Sequence, residues 1–184
     1  MVDVELYGGY RGFVSHLHAR TKQALGAYHR LSEIEWTSVR RLVFVCKGNI
    51  CRSPYASTRA RALGIQAASY GLNAAEGAPA DPLASRNALQ RGVDLSAHRA
   101  AAFHCARLEA KDLVIVFEPA QLAQVQERCR SAAMSLLGIW ARPLRPHVQD
   151  PYGRSDRYFQ QCFTVIDANV EELARRLAGA RGRR

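Results

Sequence analysis

Residues 41–54 read "RLVFVCKGNICRSP". A short apolar run, Leu42 to Val45, ends on Cys46. Five residues containing one glycine follow, and the chain restarts at Arg52-Ser53-Pro54. An apolar run bounded in this way reads as a buried strand. "SPYASTRARALG" reads as a helix, with Ser53 as its N-cap, Pro54 in its first turn and Gly64 as its stop. The stretch is thus strand, loop, helix, with a thiol at the strand's end.

The pattern repeats outward. "IQAASYG" is a second strand and "DPLASRNALQRG" a second helix, capped by Asp81 and stopped by Gly92. "DLVIVF" is a third strand, "PAQLAQVQERC" a third helix ending at Cys129, and "MSLLGIW" a short fourth strand. "ARPLRPHVQDPYGRS" is a proline-broken loop. A last helix runs from about Asp156 to Leu177, with Phe159, Phe163, Ile166, Val170, Leu173 and Leu177 on one face, and the tail frays beyond Gly179. Strands alternating with helices predict a doubly wound α/β fold, a three-layer sandwich with a parallel sheet and helices on both faces. Ligands of such sheets bind beyond the C-terminal ends of the strands, where Cys46 falls.

Residues 1–38 stand apart from this rhythm. "FVSHLHARTKQALGAYHRL" places Phe13, Val14, Leu17, Ala24, Leu25, Tyr28 and Leu31 at three- and four-residue steps, predicting one amphipathic helix. Two fates are open to it: packing on the domain or docking a partner. The expected division is an N-terminal helical extension, residues 1–38, and a main domain, residues 39–184.

The chain of 184 residues has 48% hydrophobic and 23% charged residues, as a soluble globular protein has. It shows no membrane span and no signal peptide, so a cytoplasmic location is expected. Five scattered cysteines, without a CxxC and without histidines at ligand spacing, do not form a disulfide framework or a metal site. The net charge of +10 lies beyond residue 38, because residues 1–38 hold four basic and four acidic groups. Such a field draws anions. An arginine-rich composition accounts for it equally well, and basic residues interleaved with aromatics, the mark of a nucleic-acid surface, are missing.

A loop running from a strand into a helix N-terminus can turn its N–H groups inward as an anion nest, reinforced by the helix dipole. Gly48 and Asn49 tolerate the left-handed backbone this needs. A phosphate held by Lys47, Gly48, Asn49, Ile50, Cys51 and Arg52 would lie over the Cys46 sulfur, gripped by the fork of Arg52. The same field favours thiolate over thiol. A thiolate attacking a phosphate ester needs an acid for the leaving oxygen, and Asp150 in "VQDPYG" offers one on a loop beside the strand ends. Asp before Pro also caps turns, so both readings of Asp150 stand. Tyr152 is placed to lean on an aromatic substrate.

"VFVCKGNICRSP", followed about a hundred residues later by "DPYG", resembles the low-molecular-weight protein tyrosine phosphatases, the bacterial branch best. The resemblance runs from about Arg40 to the last helix through "ASYGLNAAEGAPADPLA", "GVDLSAHRA", "DLVIVFE" and "LLGIWA". It implies a four-stranded parallel sheet and a two-step mechanism without metal or cofactor. In it Cys46 is the nucleophile, Arg52 and the loop amides the phosphate clamp, and Asp150 the acid and then the base. It implies that Ser53 hydrogen-bonds the Cys46 sulfur, Asn49 and Ser69 hold the loop, Glu118 sits near Arg52 and Tyr152 walls the crevice. It implies a reversible Cys46–Cys51 disulfide that protects the nucleophile, against a plain packing role for Cys51. It also implies phosphotyrosine protein as substrate, a tyrosine autokinase of polysaccharide export as partner, and inhibition by phosphate or vanadate. Tyr70, Phe117 and Gly153 depart from the common pattern. Two other activities compete. An arsenate reductase needs a close pair of relay cysteines, and Cys105, Cys129 and Cys162 lie far apart. An inactive phosphotyrosine-binding module loses nucleophile or acid, and this chain has Cys46, Arg52 and Asp150.

Overall fold

The computed structural model describes residues 2–128 and 132–182. Four parallel strands, β1 (Arg41–Cys46), β2 (Ala67–Gly71), β3 (Asp112–Val116) and β4 (Ala133–Leu136), lie in the order β2-β1-β3-β4. Successive side chains of a strand point to opposite faces. Leu42 to Val45 and Leu113 to Val116 are all buried, so both faces of the sheet are covered. The chain leaves β1 toward β2 on one side and later extends from β3 to β4 on the other. The crevice of a doubly wound sheet lies where those directions part, beyond the ends of β1 and β3.

Helix α1 (Tyr10–Ala24) precedes the sheet, and α2 (Arg52–Ala62), α3 (Pro82–Leu89), α4 (Ala120–Arg128) and α5 (Asp156–Arg181) follow. The expected end of α4 at Cys129 lies outside the described residues. Tyr55 of α2 stacks on Phe163 of α5 at 3.8 Å, and its hydroxyl donates to Asp167 at 2.7 Å. That junction fixes the helix whose first residue is Arg52. The apolar face expected of α5 is buried throughout, and the helix runs on to Arg181, past the expected fraying point. "MSLLGIW" divides: β4 ends at Leu136, and Leu137–Ile139 turn as a 3-10 helix.

The extension departs further from expectation. Its helix stops at Ala24, Gly26 takes a positive φ of 80°, and a short 3-10 turn, His29–Ser32, follows. Of the face expected to be apolar, Phe13 and Leu31 are half-buried and Tyr28 is buried, but the middle of the helix turns the other way. Gly12, His16 and Ala19 are its buried residues, while Tyr10, Val14, Leu17 and the following Leu25 are exposed. This face admits a close approach: a Cβ on Gly12 would fall 1.9 Å from the Tyr7 carbonyl oxygen of the preceding turn and 3.3 Å from Gln149 Cγ of the domain. The extension packs on the domain. Trp36 meets Trp140 edge-on at 5.1 Å, and the Leu31 carbonyl accepts from Ser135 Oγ at 2.7 Å. No helix of the described residues is long and apolar enough to cross a membrane.

Candidate active site

The loop from Cys46 to Arg52 is held from outside by its carbonyls. Those of Cys46, Lys47 and Ile50 accept from the N–H groups of Leu72, Asn73 and Asp81 at 2.9, 2.8 and 2.9 Å, and that of Asn49 meets His98 Nε2 at 2.6 Å. A carbonyl only accepts, so the His98 hydrogen is on Nε2. Carbonyls turned outward leave the amides turned inward, and the N–H groups of Lys47 to Cys51 find no acceptor among the described residues. Asn49 supplies the left-handed turn at φ 54°. Gly71, at the end of β2, lets the loop come close, since a Cβ there would lie 2.8 Å from Asn49 N.

Ser53 is not the N-cap of α2. Cys51 occupies that position without a side-chain cap bond, and the Ser53 hydroxyl turns inward instead. Ser53 Oγ lies 3.1 Å from Cys46 Sγ, accepts from Asn49 Nδ2 at 2.8 Å and lies 3.2 Å from the Tyr70 carbonyl oxygen. Its one hydrogen has two takers. When the sulfur is a thiolate the Ser53 hydroxyl donates to it; when it is a thiol, the S–H can donate to Oγ and the hydroxyl to the Tyr70 carbonyl. Asn49 Oδ1 accepts from the Ala101 N–H at 2.8 Å, so one side chain ties three strands of chain together. Ser69 lies opposite Phe44 in the ladder and makes none of these bonds. The residue next to it contributes, through the Tyr70 backbone.

Arg52 is fully buried. Its Nη1 donates to the Val148 carbonyl at 2.8 Å and pairs with Glu118, and its Nη2 lies 3.1 Å from Asp150 Oδ2. That last contact is an ion pair without hydrogen-bond alignment. Nη2 and Nε therefore remain donors without an acceptor. Burial opposes the charge, but Asp150 and Glu118 outweigh it and hold the guanidinium protonated. Asp150 also accepts from the Tyr152 N–H at a long 3.4 Å, so the same carboxylate that faces Arg52 caps its own turn.

Cys46, Lys47, Gly48, Ile50 and Cys51 line one pocket of about 180 Å³ together with Asp150, Tyr152 and Asn73. Tyr152 is 62% exposed and stands at its rim. Cys46 and Cys51 are free thiols, both buried. Burial, then the nearby Asp81 and Asp150, push the Cys51 thiol well above its usual range, so it stays protonated. The structure thus brings together Cys46, the loop, Arg52, Ser53, Glu118, Asp150 and Tyr152. His98, Gly71 and Asn73 also touch the loop, contacts that the motif alone does not reveal. A glycine closing a strand beside the loop was the available signal for Gly71.

The family model for low molecular weight phosphotyrosine protein phosphatase matches residues 41–182. The chain belongs to this family. Among its relatives is the probable low molecular weight protein-tyrosine-phosphatase EpsP of Ralstonia solanacearum, 31% identical over 76% of this chain and 97% of that protein. Another is the phosphatase Etp of Escherichia coli, 29% identical over 80% of this chain and 99% of that protein. The crystal structure of the Escherichia coli tyrosine phosphatase Wzb with sulphate superposes at a TM-score of 0.68, with 29% identity, over 76% of this chain and 99% of Wzb. The phosphatase family match begins at β1, so residues 1–40 lie outside it.

Proposed function

We propose that this phosphatase hydrolyses phosphotyrosine in proteins through a cysteinyl-phosphate on Cys46. The observation that carries the reading is Arg52, a wholly buried guanidinium with two donors unfilled, next to a ring of loop amides that are also unfilled. Buried donors left unpaired are costly, and a phosphate dianion supplies the acceptors for both sets.

In the first step the Cys46 thiolate bonds to phosphorus as the bond to the tyrosine oxygen breaks, and Asp150, released from Arg52 by the bound phosphate and carrying a proton, gives that proton to the leaving oxygen. In the second, Asp150 takes a proton from water, the water oxygen bonds to phosphorus, and the S–P bond breaks to return the thiolate. Ser53 stabilises the sulfur when it leaves. Asn49 and His98 keep the loop curled, Glu118 holds Arg52, and Tyr152 stacks on the aryl ring. Cys51 lines the same pocket as Cys46, which supports a protective disulfide between them. Residues 1–38 form an extension to a catalytic domain of residues 39–184, in the cytoplasm, and a tyrosine autokinase is the proposed substrate protein.

Para-nitrophenyl phosphate tests the reading. Turnover is expected to persist in chelator and to be blocked by vanadate. Cys46→Ser is expected to abolish turnover while phosphate still binds. Turnover surviving in Cys46→Ser contradicts the mechanism.

A further inference from the structure

The extension lies against the segment that carries Asp150. Glu5 Oε1 accepts from Ser155 Oγ at 2.6 Å, and Glu5 Oε2 accepts from Arg157 Nη1 at 3.1 Å. Asp3 Oδ2 pairs with Arg157 Nη2 at 2.5 Å. On the other side of the acid, Arg145 Nη1 of the loop donates to the Leu6 carbonyl at 2.9 Å, and Arg20 Nη1 of the extension donates to the Leu144 carbonyl at 3.0 Å. Between these anchors Gly8 sits so close that a Cβ would lie 2.9 Å from Gln149 Cγ and 2.9 Å from the Tyr158 ring. The Tyr158 hydroxyl in turn donates to the Gln149 carbonyl at 3.0 Å. Gln149 is the residue before Asp150.

We propose that residues 3–8 act as a strap that positions Asp150 as the acid, gripping its loop on both sides and pressing on Gln149. The proposal rests on the assignment of Asp150 above. Arg52 pulls the carboxylate from inside the site, and the strap closes on the backbone from outside. Glu5, Asp3 and Arg157 are roughly half exposed, and exposed ion pairs contribute little to stability. Placement is a different matter: a group that transfers a proton must be held to a fraction of an ångström, and a displacement of about 1 Å is costly in rate.

The test uses full-length Asp3→Asn/Glu5→Gln and Gly8→Val proteins. Each is assayed on para-nitrophenyl phosphate, whose leaving group scarcely needs an acid, and on phenyl phosphate, whose leaving group does. The expected result is a fall of about tenfold in kcat/KM for phenyl phosphate against less than about twofold for para-nitrophenyl phosphate. In an Asp150→Ala background the same substitutions are expected to change neither substrate further. The double charge variant is expected to keep a near-native melting temperature, so its result stands by itself where Gly8→Val fails to fold. Equal losses on both substrates, or an undiminished loss in the Asp150→Ala background, overturn the strap. Asp150→Ala alone showing no preference between the substrates overturns the acid assignment itself. A selective loss in Asp150→Ala with none in the strap variants overturns the strap and leaves the acid standing.

Discussion

The loop from Cys46 to Arg52 and helix α1 obey sequence rules of different reach. In the loop, each requirement is local. A strand must end, a left-handed residue must turn the chain, and a helix must begin, and Cys46, Asn49 and Arg52 answer these within seven residues. In α1 the period is as clear, yet the helix is turned over. Tyr10, Val14 and Leu17 share a face as their spacing requires, but Gly12, His16 and Ala19 are the residues that meet the protein. Periodicity states which side chains share a face. What a face meets depends on distant chain, here Gln149, whose Cγ would lie 3.3 Å from a Cβ on Gly12.

The largest effect that sharpens this contrast is at the site. Asp150→Ala is expected to lower kcat by about 10²–10⁴, the ordinary worth of a general acid. Steady-state assays on phenyl phosphate read it, and a loss below about tenfold would return Asp150 to a turn cap. In the extension, Ala19→Leu is expected to cost about 1–3 kcal/mol through overpacking, read by chemical denaturation. A neutral Ala19→Leu would mean that the helix is not seated on its small-residue face.

A third effect follows from His16. Burial, with Arg145, Arg20 and His147 adding repulsion, lowers its pKa from 6.5 to about 4. Its Nδ1 is buried without a partner, and its ring lies 4.8 Å from that of Tyr7. The unfolded chain binds a proton below 6.5 and the folded chain only below about 4, so this contribution is full above 6.5 and is lost as pH falls toward 4. The loss is expected to reach about 1–2 kcal/mol by about pH 5. His16→Gln is expected to flatten the stability profile over that range, and an unchanged slope would sink the assignment. The smallest effect is at the outward face, where Leu17→Asn is expected to change stability by less than about 0.5 kcal/mol.

Much of the fold was legible for the same reason as the loop. Alternating apolar runs and capped helices specify a parallel sheet almost by themselves, and the six apolar positions of α5 are buried as their spacing requires. The elements misread are those decided elsewhere. "MSLLGIW" carries no strand past Leu136, because Trp140 N and Ala141 N turn to Asn169 Oδ1 on α5. Ser53 reads as a cap because serine before proline usually caps, but Asn49, itself fixed by Ala101, draws its hydroxyl toward Cys46. Ser69 and Tyr70 are neighbours in one strand, and sequence does not say that the useful atom is a backbone carbonyl. His98 lies 49 positions from the carbonyl it holds, a separation that no local pattern spans.

The most direct test is rapid acid quench of the enzyme turning over para-nitrophenyl phosphate, followed by peptide mass analysis. A single phosphoryl group on Cys46, forming as nitrophenol is released and decaying as free phosphate appears, is the result this account requires. Phosphate released with Cys46 unmodified at every time, or a phosphoryl group found on another residue, would contradict it.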